Sequence, residues 1–341
     1  MSPGYRAALE GTAVAVRTDR ARIRVTGRDP VGILQGILTN RVPEPAVLVD
    51  GVARGQANYA AVLTPKGRMV SDLRAVRGPR EDEGLLLELP AAALPGLLVH
   101  LGKYVPPRLA RARDVTAETE ELTVVGPGAA TLLSREALGL RVEAAELDRL
   151  AEDAWVWIDS GVLVMRCGEL AAPSFDVLAD RATANALVER LREEGAARLE
   201  EADLRVLRLE AGRPGWGAEL DENTLLPEAG IDGRAIDHTK GCYTGQEVIV
   251  RIRDRGHVNR RLCGLRLGEW ELPAAGTELW LEGREKPVGV VTSAVTSPRA
   301  GGGLALGYVR REVMVPGEVR LGSPDGPRVE AVSAEGEWWR S

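Results

Sequence analysis

Phenylalanine occurs once in this 341-residue chain, histidine three times and cysteine three times. The cysteines, Cys167, Cys242 and Cys263, are widely spaced, odd in number and form no Cys-x-x-Cys pair. That argues against a disulfide framework, a zinc knuckle or a self-contained iron–sulfur ligand set, and it fits a reducing cytoplasm. Long apolar runs are also missing. The most apolar stretch, Leu85 to Leu101, is broken by Glu88, Pro90 and Pro95, so it is not a membrane span. The first residues, Met1-Ser2-Pro3-Gly4-Tyr5-Arg6, lack the apolar core of a signal peptide. A cytoplasmic protein with no membrane partner is therefore expected. The net charge of −6 provides no global attraction for nucleic acid. Direct nucleic-acid contact is not expected, and any anion site must be a local basic patch. The length predicts two or three domains, each able to bury a core without cross-links.

Lysine and glutamine are scarce too. Lys66, Lys103, Lys240 and Lys286 are the only lysines among 44 basic residues, and Gln35, Gln56 and Gln246 are the only glutamines. Against that background, Lys240, Cys242, Tyr243 and Gln246 fall together, with His238 just upstream. A thiol reacts as its thiolate, and a nearby cation such as Lys240 or His238 lowers its pKa. Gly241 and Gly245 permit a tight turn and a close approach of ligand. Tyr243 and Gln246 offer hydrogen-bonding groups. The plainer alternative is a buried structural cysteine in a glycine-bounded turn, with Lys240 solvated. No metal ligand set is expected.

Along the chain, Thr12–Arg17 and Ala21–Thr26 read as strands, the second half-buried. Asp29-Pro30 reads as a helix start, and Val31, Ile33, Leu34, Ile37 and Leu38 give that helix an apolar face ending near Asn40. Ala57–Thr64 and Met69–Val76 form a hairpin around Pro65-Lys66-Gly67-Arg68. Leu85–Leu89, a helix over Ala92–Tyr104 and a strand over Arg108–Asp114 complete a split, ferredoxin-like order. A second α+β unit follows: strands at Glu121–Val125, Trp155–Asp159, Leu163–Cys167 and Ser174–Leu178, helices at Gly128–Leu138 and Ala182–Glu194. Trp155 and Trp157 share a strand face and read as core. Glu201–Ala211 is a helix stopped by Gly212. Val248–Val250 is read as a strand leading into an arginine-rich segment. Short strands then run to the C-terminal Trp338-Trp339 and predict a small β-barrel.

Lys240-Gly241-Cys242-Tyr243-Thr244-Gly245-Gln246-Glu247, followed by Val250-Arg251, Arg255-Gly256 and Asn259-Arg260-Arg261, resembles the signature of the YgfZ-type folate-binding proteins, paralogues of the glycine-cleavage T-protein (aminomethyltransferase). Val25-Thr26-Gly27-Arg28-Asp29, Leu38-Thr39-Asn40, Leu63-Thr64-Pro65-Lys66-Gly67-Arg68, Lys103-Tyr104, Arg208-Leu209-Glu210-Ala211-Gly212 and Val288–Ser293 are similar to further words of that family. The resemblance implies an α+β, three-domain, cloverleaf-like aminomethyltransferase architecture. Its domains would span 1–115, 116–245 (ending in the signature) and 246–341 (the barrel). It also implies a tetrahydrofolate or related folate ligand and a role in assembling or repairing iron–sulfur clusters, with cluster enzymes (tRNA-modifying ones among them) or assembly factors as partners. Carried over residue by residue, Cys242 is the functional thiol and Lys240 its electrostatic partner. Gly241, Tyr243, Gly245 and Gln246 shape the turn, and Glu210 accepts hydrogen bonds from a pterin ring. Tyr104 is a candidate for stacking on that ring.

Arg251, Arg253, Arg255, Arg260 and Arg261 crowd one short segment. On a strand, Arg251 and Arg253 would share a face, and Arg251 and Arg255 are candidates for the carboxylates of a folate tail. A solvated face balanced by Glu247 and Asp254 is the alternative. Two other functions stay open. A true aminomethyltransferase of this family needs an Asp beyond the strand at Leu85–Leu89, where this chain has Pro90-Ala91-Ala92. A Cys–His hydrolase would pair Cys242 with His238 or His257. The chain also departs from the family in having Arg41 where relatives usually carry Asp.

Overall fold

The computed structural model describes residues 1–49, 51–80, 83–158 and 161–340. In chain order the elements are helix α1 (Pro3–Glu10), strands β1 (Ala13–Val16) and β2 (Arg20–Gly27), helix α2 (Pro30–Gln35), and strands β3 (Val47–Val49), β4 (Val52–Gln56), β5 (Asn58–Leu63), β6 (Met69–Arg77) and β7 (Leu85–Pro90). Helix α3 (Leu94–Tyr104), β8 (Ala110–Asp114), β9 (Thr119–Val125), α4 (Ala129–Leu133), α5 (Ala144–Asp148), β10 (Ala154–Ile158), β11 (Val162–Cys167), β12 (Ser174–Asp180), α6 (Arg181–Glu193) and β13 (Ala197–Arg198) follow. The remainder is α7 (Glu201–Glu210), α8 (Leu226–Ala229), α9 (Asp232–Ala235), α10 (Gln246–Arg255) and strands β14 (Arg260–Gly268), β15 (Glu278–Trp280), β16 (Gly289–Ser297), β17 (Gly302–Arg310), β18 (Gly317–Leu321) and β19 (Arg328–Val332). No helix among the described residues is long and apolar enough to cross a membrane.

The chain forms two units. The first comprises Met1–Gly168, Ala172–Glu201 and Arg234–Gln246. It holds a five-stranded sheet in the order β5-β6-β7-β2-β8 and an eight-stranded sheet in the order β13-β1-β9-β12-β11-β10-β4-β3. The hairpin at 57–76 forms as expected, with Asn58 paired to Ala75. Strand β1, read with β2, instead joins the second sheet beside β9. Trp155 is buried and sits edge-on to Trp157, their ring centroids 6.3 Å apart, as the shared face implied. Asp159, the last residue of that expected strand, lies outside the described residues.

Three local readings need correcting. Helix α1 was not foreseen; Ser2 caps it by accepting from Tyr5 N at 3.0 Å, with Pro3 in the first turn. Helix α2 begins as expected, Asp29 accepting from Gly32 N at 2.9 Å, but it stops at Gln35, and the apolar run continues as irregular chain. Leu34 and Leu38 are fully buried all the same, each contributing about 1.5–3 kcal/mol by leaving water. The third correction concerns β2. Its apolar face, Ala21, Ile23 and Val25, is buried, but so are Arg20 and Arg22 on the opposite face.

Those arginines enter a sealed ionic layer within the first unit. Arg74 of β6 pairs with Glu88 of β7 at 2.7 Å, Asp176 of β12 at 2.6 Å, Glu121 of β9 at 3.4 Å and Asp153 at 3.8 Å. It therefore bridges the two sheets. Arg20 also pairs with Glu88, and Arg22 Nη1 lies 4.0 Å from Glu121. Burial alone would raise Glu88, but Arg20 and Arg74 outweigh it and hold the carboxyl far below its usual range. For Glu121, burial dominates, helped by the neighbouring Glu88 and Asp176, and pushes it up to about 8.

The second unit comprises Glu169–Ala171, Ala202–Gly233 and Glu247–Ser341. Its strands close into a barrel in the order β14-β17-β16-β15-β18-β19. Helix α7 ends at Glu210, and Gly212 turns the chain at φ 66°, where an added Cβ would come 1.9 Å from Ala334 O. The α+β class with a terminal barrel is the architecture expected from the sequence.

Candidate functional site

The signature segment is stitched to the chain around α2 at many points, all inside the first unit. Asp237 N donates to Thr39 O at 3.2 Å and Thr244 N to Gly36 O at 3.1 Å. Thr39 Oγ1 donates to Ala235 O at 2.6 Å, and Asn40 Nδ2 to Arg234 O at 3.1 Å. Lys240 is buried, and its Nζ donates to three backbone carbonyls: Gln35 at 2.9 Å, Leu38 at 2.6 Å and Asn40 at 2.8 Å. These are the last carbonyl of α2 and two beyond it, groups with no intrahelical donor of their own. Burial pulls the ammonium down to about 8, so it still carries its proton at neutral pH.

The three N–H groups of Lys240 are thus spent on carbonyls. Its hydrogen bonds go to the chain around α2 and none to Cys242, with which the sequence reading paired it as a charge. Cys242 itself is exposed, whereas Cys167 and Cys263 are buried. Among the described residues Cys242 has no hydrogen-bond partner, and His238 is exposed like it. Burial pushes the Cys263 thiol up to about 12, and Cys242 is the exposed thiol of the three.

The motif neighbours divide by role. Tyr243 is buried with its ring 5.5 Å from Lys240 Nζ. Gly245 has φ 82°, and an added Cβ would lie 2.6 Å from Thr64 O, against the β5–β6 turn. Only glycine fits there. Gly241 differs from the expectation, since a Cβ at that position would meet nothing within 4 Å. Gln246 opens α10 and donates its backbone N–H to Tyr243 O at 3.2 Å.

Arg41, the departure from the family word, has its reason in the same segment. Its Nε pairs with Asp237, and its Nη2 donates to Thr239 Oγ1 at 2.9 Å. Asp237 also accepts from Thr239 N and Thr239 Oγ1, each at 2.7 Å. The Thr239 and Arg41 donors hold that carboxyl well below the ordinary range. Sequence reading missed this pair because the two partners lie 196 positions apart.

The remaining candidates lie elsewhere. The segment read as a strand around Val248–Val250 is helix α10, so Arg251 and Arg253 do not share a face. Arg251 and Arg255, four apart, do, and both are exposed, while Arg253 pairs with Asp254 at 3.1 Å. Tyr104 packs on His100 with ring centroids 4.5 Å apart, under Lys103 at 5.2 Å. Glu210, in the second unit, is fully buried. Its Oε1 accepts from Ser297 Oγ at 2.6 Å, and its Oε2 lies 3.6 Å from Arg299. Arg260, one of the arginines crowded in that segment, lies over the Tyr308 ring at 4.3 Å and pairs with Glu228 at 2.8 Å. Sequence reading also missed the buried Glu219, held by Arg208 at 2.9 Å.

The fold and this signature define a T-protein-like class, and comparisons with known proteins agree. The family model for the GCVT N-terminal domain matches residues 6–240, and the model for the glycine cleavage T-protein C-terminal barrel domain matches residues 260–335. The chain therefore belongs to the glycine cleavage T-protein family. It is 33% identical over 287 residues to an aminomethyltransferase of Rubrobacter xylanophilus, covering 84% of this chain and 73% of that protein. It is 25% identical to a putative chloroplastic transferase of Arabidopsis thaliana, covering 89% of this chain and 66% of that one. The crystal structure of the glycine cleavage system aminomethyltransferase T from Bartonella henselae superposes with a TM-score of 0.81 over 97% of this chain and 87% of that one, at 21% identity. This last likeness is one of fold.

Proposed function

We propose that this family member binds a folate, tetrahydrofolate or a derivative, and works as a YgfZ-type accessory protein in the assembly or repair of iron–sulfur clusters. The observation that carries the reading is Cys242: an exposed thiol on a turn whose backbone is pinned from both sides, in the chain's most distinctive word. A lone thiol cannot hold a cluster. Its proposed task is transient: the thiolate replaces one ligand on an iron of a client's cluster, the displaced ligand leaving with the proton of the thiol, and the reverse exchange passes the iron on. Glu210 is the proposed acceptor for the amidine-like edge of the pterin. A buried carboxylate flanked by Ser297 and Arg299 suits that chemistry, provided that Ser297 turns its hydroxyl away. Arg251 and Arg255, two cations on one exposed helix face of the same unit, are proposed to meet the glutamate tail.

The second reading is an aminomethyltransferase, supported by the 33% identity to a relative of that name. Against it, β7 ends at Pro90 and runs into Ala91–Ala93 without an acid, and Glu88 within β7 is committed to Arg20 and Arg74.

Calorimetric titration with tetrahydrofolate, alongside a glycine-cleavage turnover assay on the same sample, tests both. Binding without turnover is the expected result. Binding with turnover would replace the accessory role by the transferase, and no binding would remove folate from the reading.

A further inference from the structure

Lys240 has an unusual set of partners for a buried cation. Among the described residues no carboxylate is bonded to it; the three acceptors are the carbonyls of Gln35, Leu38 and Asn40, at 2.6–2.9 Å from Nζ. The charges around it are Asp237, which favours the ammonium, and Arg41, which opposes it, and these two are paired with one another. Three convergent carbonyls at such distances form a socket for a monovalent cation of ammonium size. Here the cation is tethered to the chain two residues before Cys242.

We infer that Lys240 is a positioning residue, a tethered cation that fills a three-carbonyl socket at the end of α2 and so fixes the Cys242 turn, rather than the charge partner of the thiol. Two features fit this reading. All three N–H groups face carbonyls, leaving none for sulfur. The two backbone bonds on either side, Asp237 N to Thr39 O and Thr244 N to Gly36 O, join the same two segments that the lysine joins. Without the cation, three carbonyl dipoles converge on an empty point, and that seam is the part of the turn which opens first.

The inference rests on the proposed function only in taking Cys242 as the working thiol, and its test uses no folate. The full chain is compared with its Lys240→Ala and Lys240→Met variants. One readout is amide hydrogen exchange at Asp237 and Thr244. The other is the pH midpoint of Cys242 alkylation by iodoacetamide. Each is measured in ammonium chloride and, at equal ionic strength, in tetramethylammonium chloride.

In Lys240→Ala, exchange at the two amides is expected to rise roughly tenfold or more, as loss of a charged hydrogen bond implies. Ammonium, small enough to enter the socket, restores slow exchange, and tetramethylammonium does not. Lys240→Met, whose side chain fills the space without charge, exchanges fast in both salts. The alkylation midpoint is expected to stay where it is in the wild type once the turn is restored. Failure of ammonium to slow exchange would overturn the socket. A midpoint that rises in Lys240→Met while exchange stays slow would make Lys240 the thiol's charge partner after all. If the alanine variant does not fold, the methionine variant still decides between the two roles.

Discussion

Two cations of the first unit, Arg74 and Lys240, are both buried and are treated in opposite ways. Arg74 is 2% exposed and is surrounded by carboxylates: Glu88, Glu121, Asp153 and Asp176. Lys240 is 7% exposed and donates to three neutral carbonyls, with the Tyr243 ring 5.5 Å away. The difference follows from the side chains. The planar guanidinium offers several donors in a fixed fork, so it can serve acids on two sheets at once. The ammonium is a point charge with three donors, matched here to three acceptors on one bend of backbone. One arrangement welds strands distant in sequence into a scaffold. The other holds a single turn, and with it one exposed thiol.

If that contrast is right, breaking the two sites has different reach. Arg74→Met should be the more damaging change, because it takes the ion partner from Asp176 and leaves Glu88 with Arg20 alone in a desolvated layer. Removing one partner of a buried ion network typically costs about 3–5 kcal/mol. Denaturant unfolding should show a global loss of that order, or no folded protein at all. Lys240→Met, by comparison, should leave the global midpoint much closer to the wild type and act on the signature turn. A variant of Arg74 that unfolded no more readily than that of Lys240 would erase the distinction.

The acid side of the same layer gives a pH test with a definite sign. Glu121 titrates near 8 in the folded chain, well above an ordinary Glu, because burial and the neighbouring Glu88 and Asp176 disfavour its charge. Between the ordinary carboxyl range and pH 8 the folded state therefore holds a proton that the unfolded chain has lost. The stabilisation from this group is complete at low pH and is lost as pH rises towards 8, by up to about 1.4 kcal/mol per pH unit. Glu121→Gln keeps a neutral side chain of the same shape and removes this slope. Its melting temperature should gain on that of the wild type from pH 5 to pH 8 and then run parallel above. Parallel curves over the whole range would show that Glu121 is already ionised at neutral pH.

How much of this was legible in the sequence depends on the distance over which each feature is encoded. Asp29-Pro30 marked a helix start, period-two alternation marked β2 and Trp155–Trp157, and the closely spaced strands after Arg260 announced the barrel. All are local signals. The ionic layer was invisible because it joins β2, β6, β7, β9 and β12, whose pairing no short window contains. Helix α10 was misread because Val248-Ile249-Val250 favours a strand, whereas the observed segment keeps Ile249 as its one buried residue and turns its arginines to solvent. For the candidate site, composition singled out the turn from Lys240 to Gln246, since lysine, cysteine and glutamine are rare here. What it could not give was the lysine's target, because main-chain carbonyls leave no trace in side-chain spelling.

Arg41 and Asp237 supply the smallest test and sharpen the contrast from the outside. The pair joins the same two segments as Lys240, but Arg41 is 56% exposed at its side chain. Water and salt screen such a pair, and its contribution to stability should fall below about 1 kcal/mol. Arg41→Ala should therefore leave the melting temperature almost unchanged. Amide exchange at Asp237 should quicken only modestly, by less than in Lys240→Ala, and the effect should fade in high salt. Arg41→Asp sets a second carboxylate against Asp237, so like charges would then face each other across the seam. A loss as large as that of Lys240→Met from either Arg41 variant would mean that the surface pair, not the buried ammonium, fastens the turn.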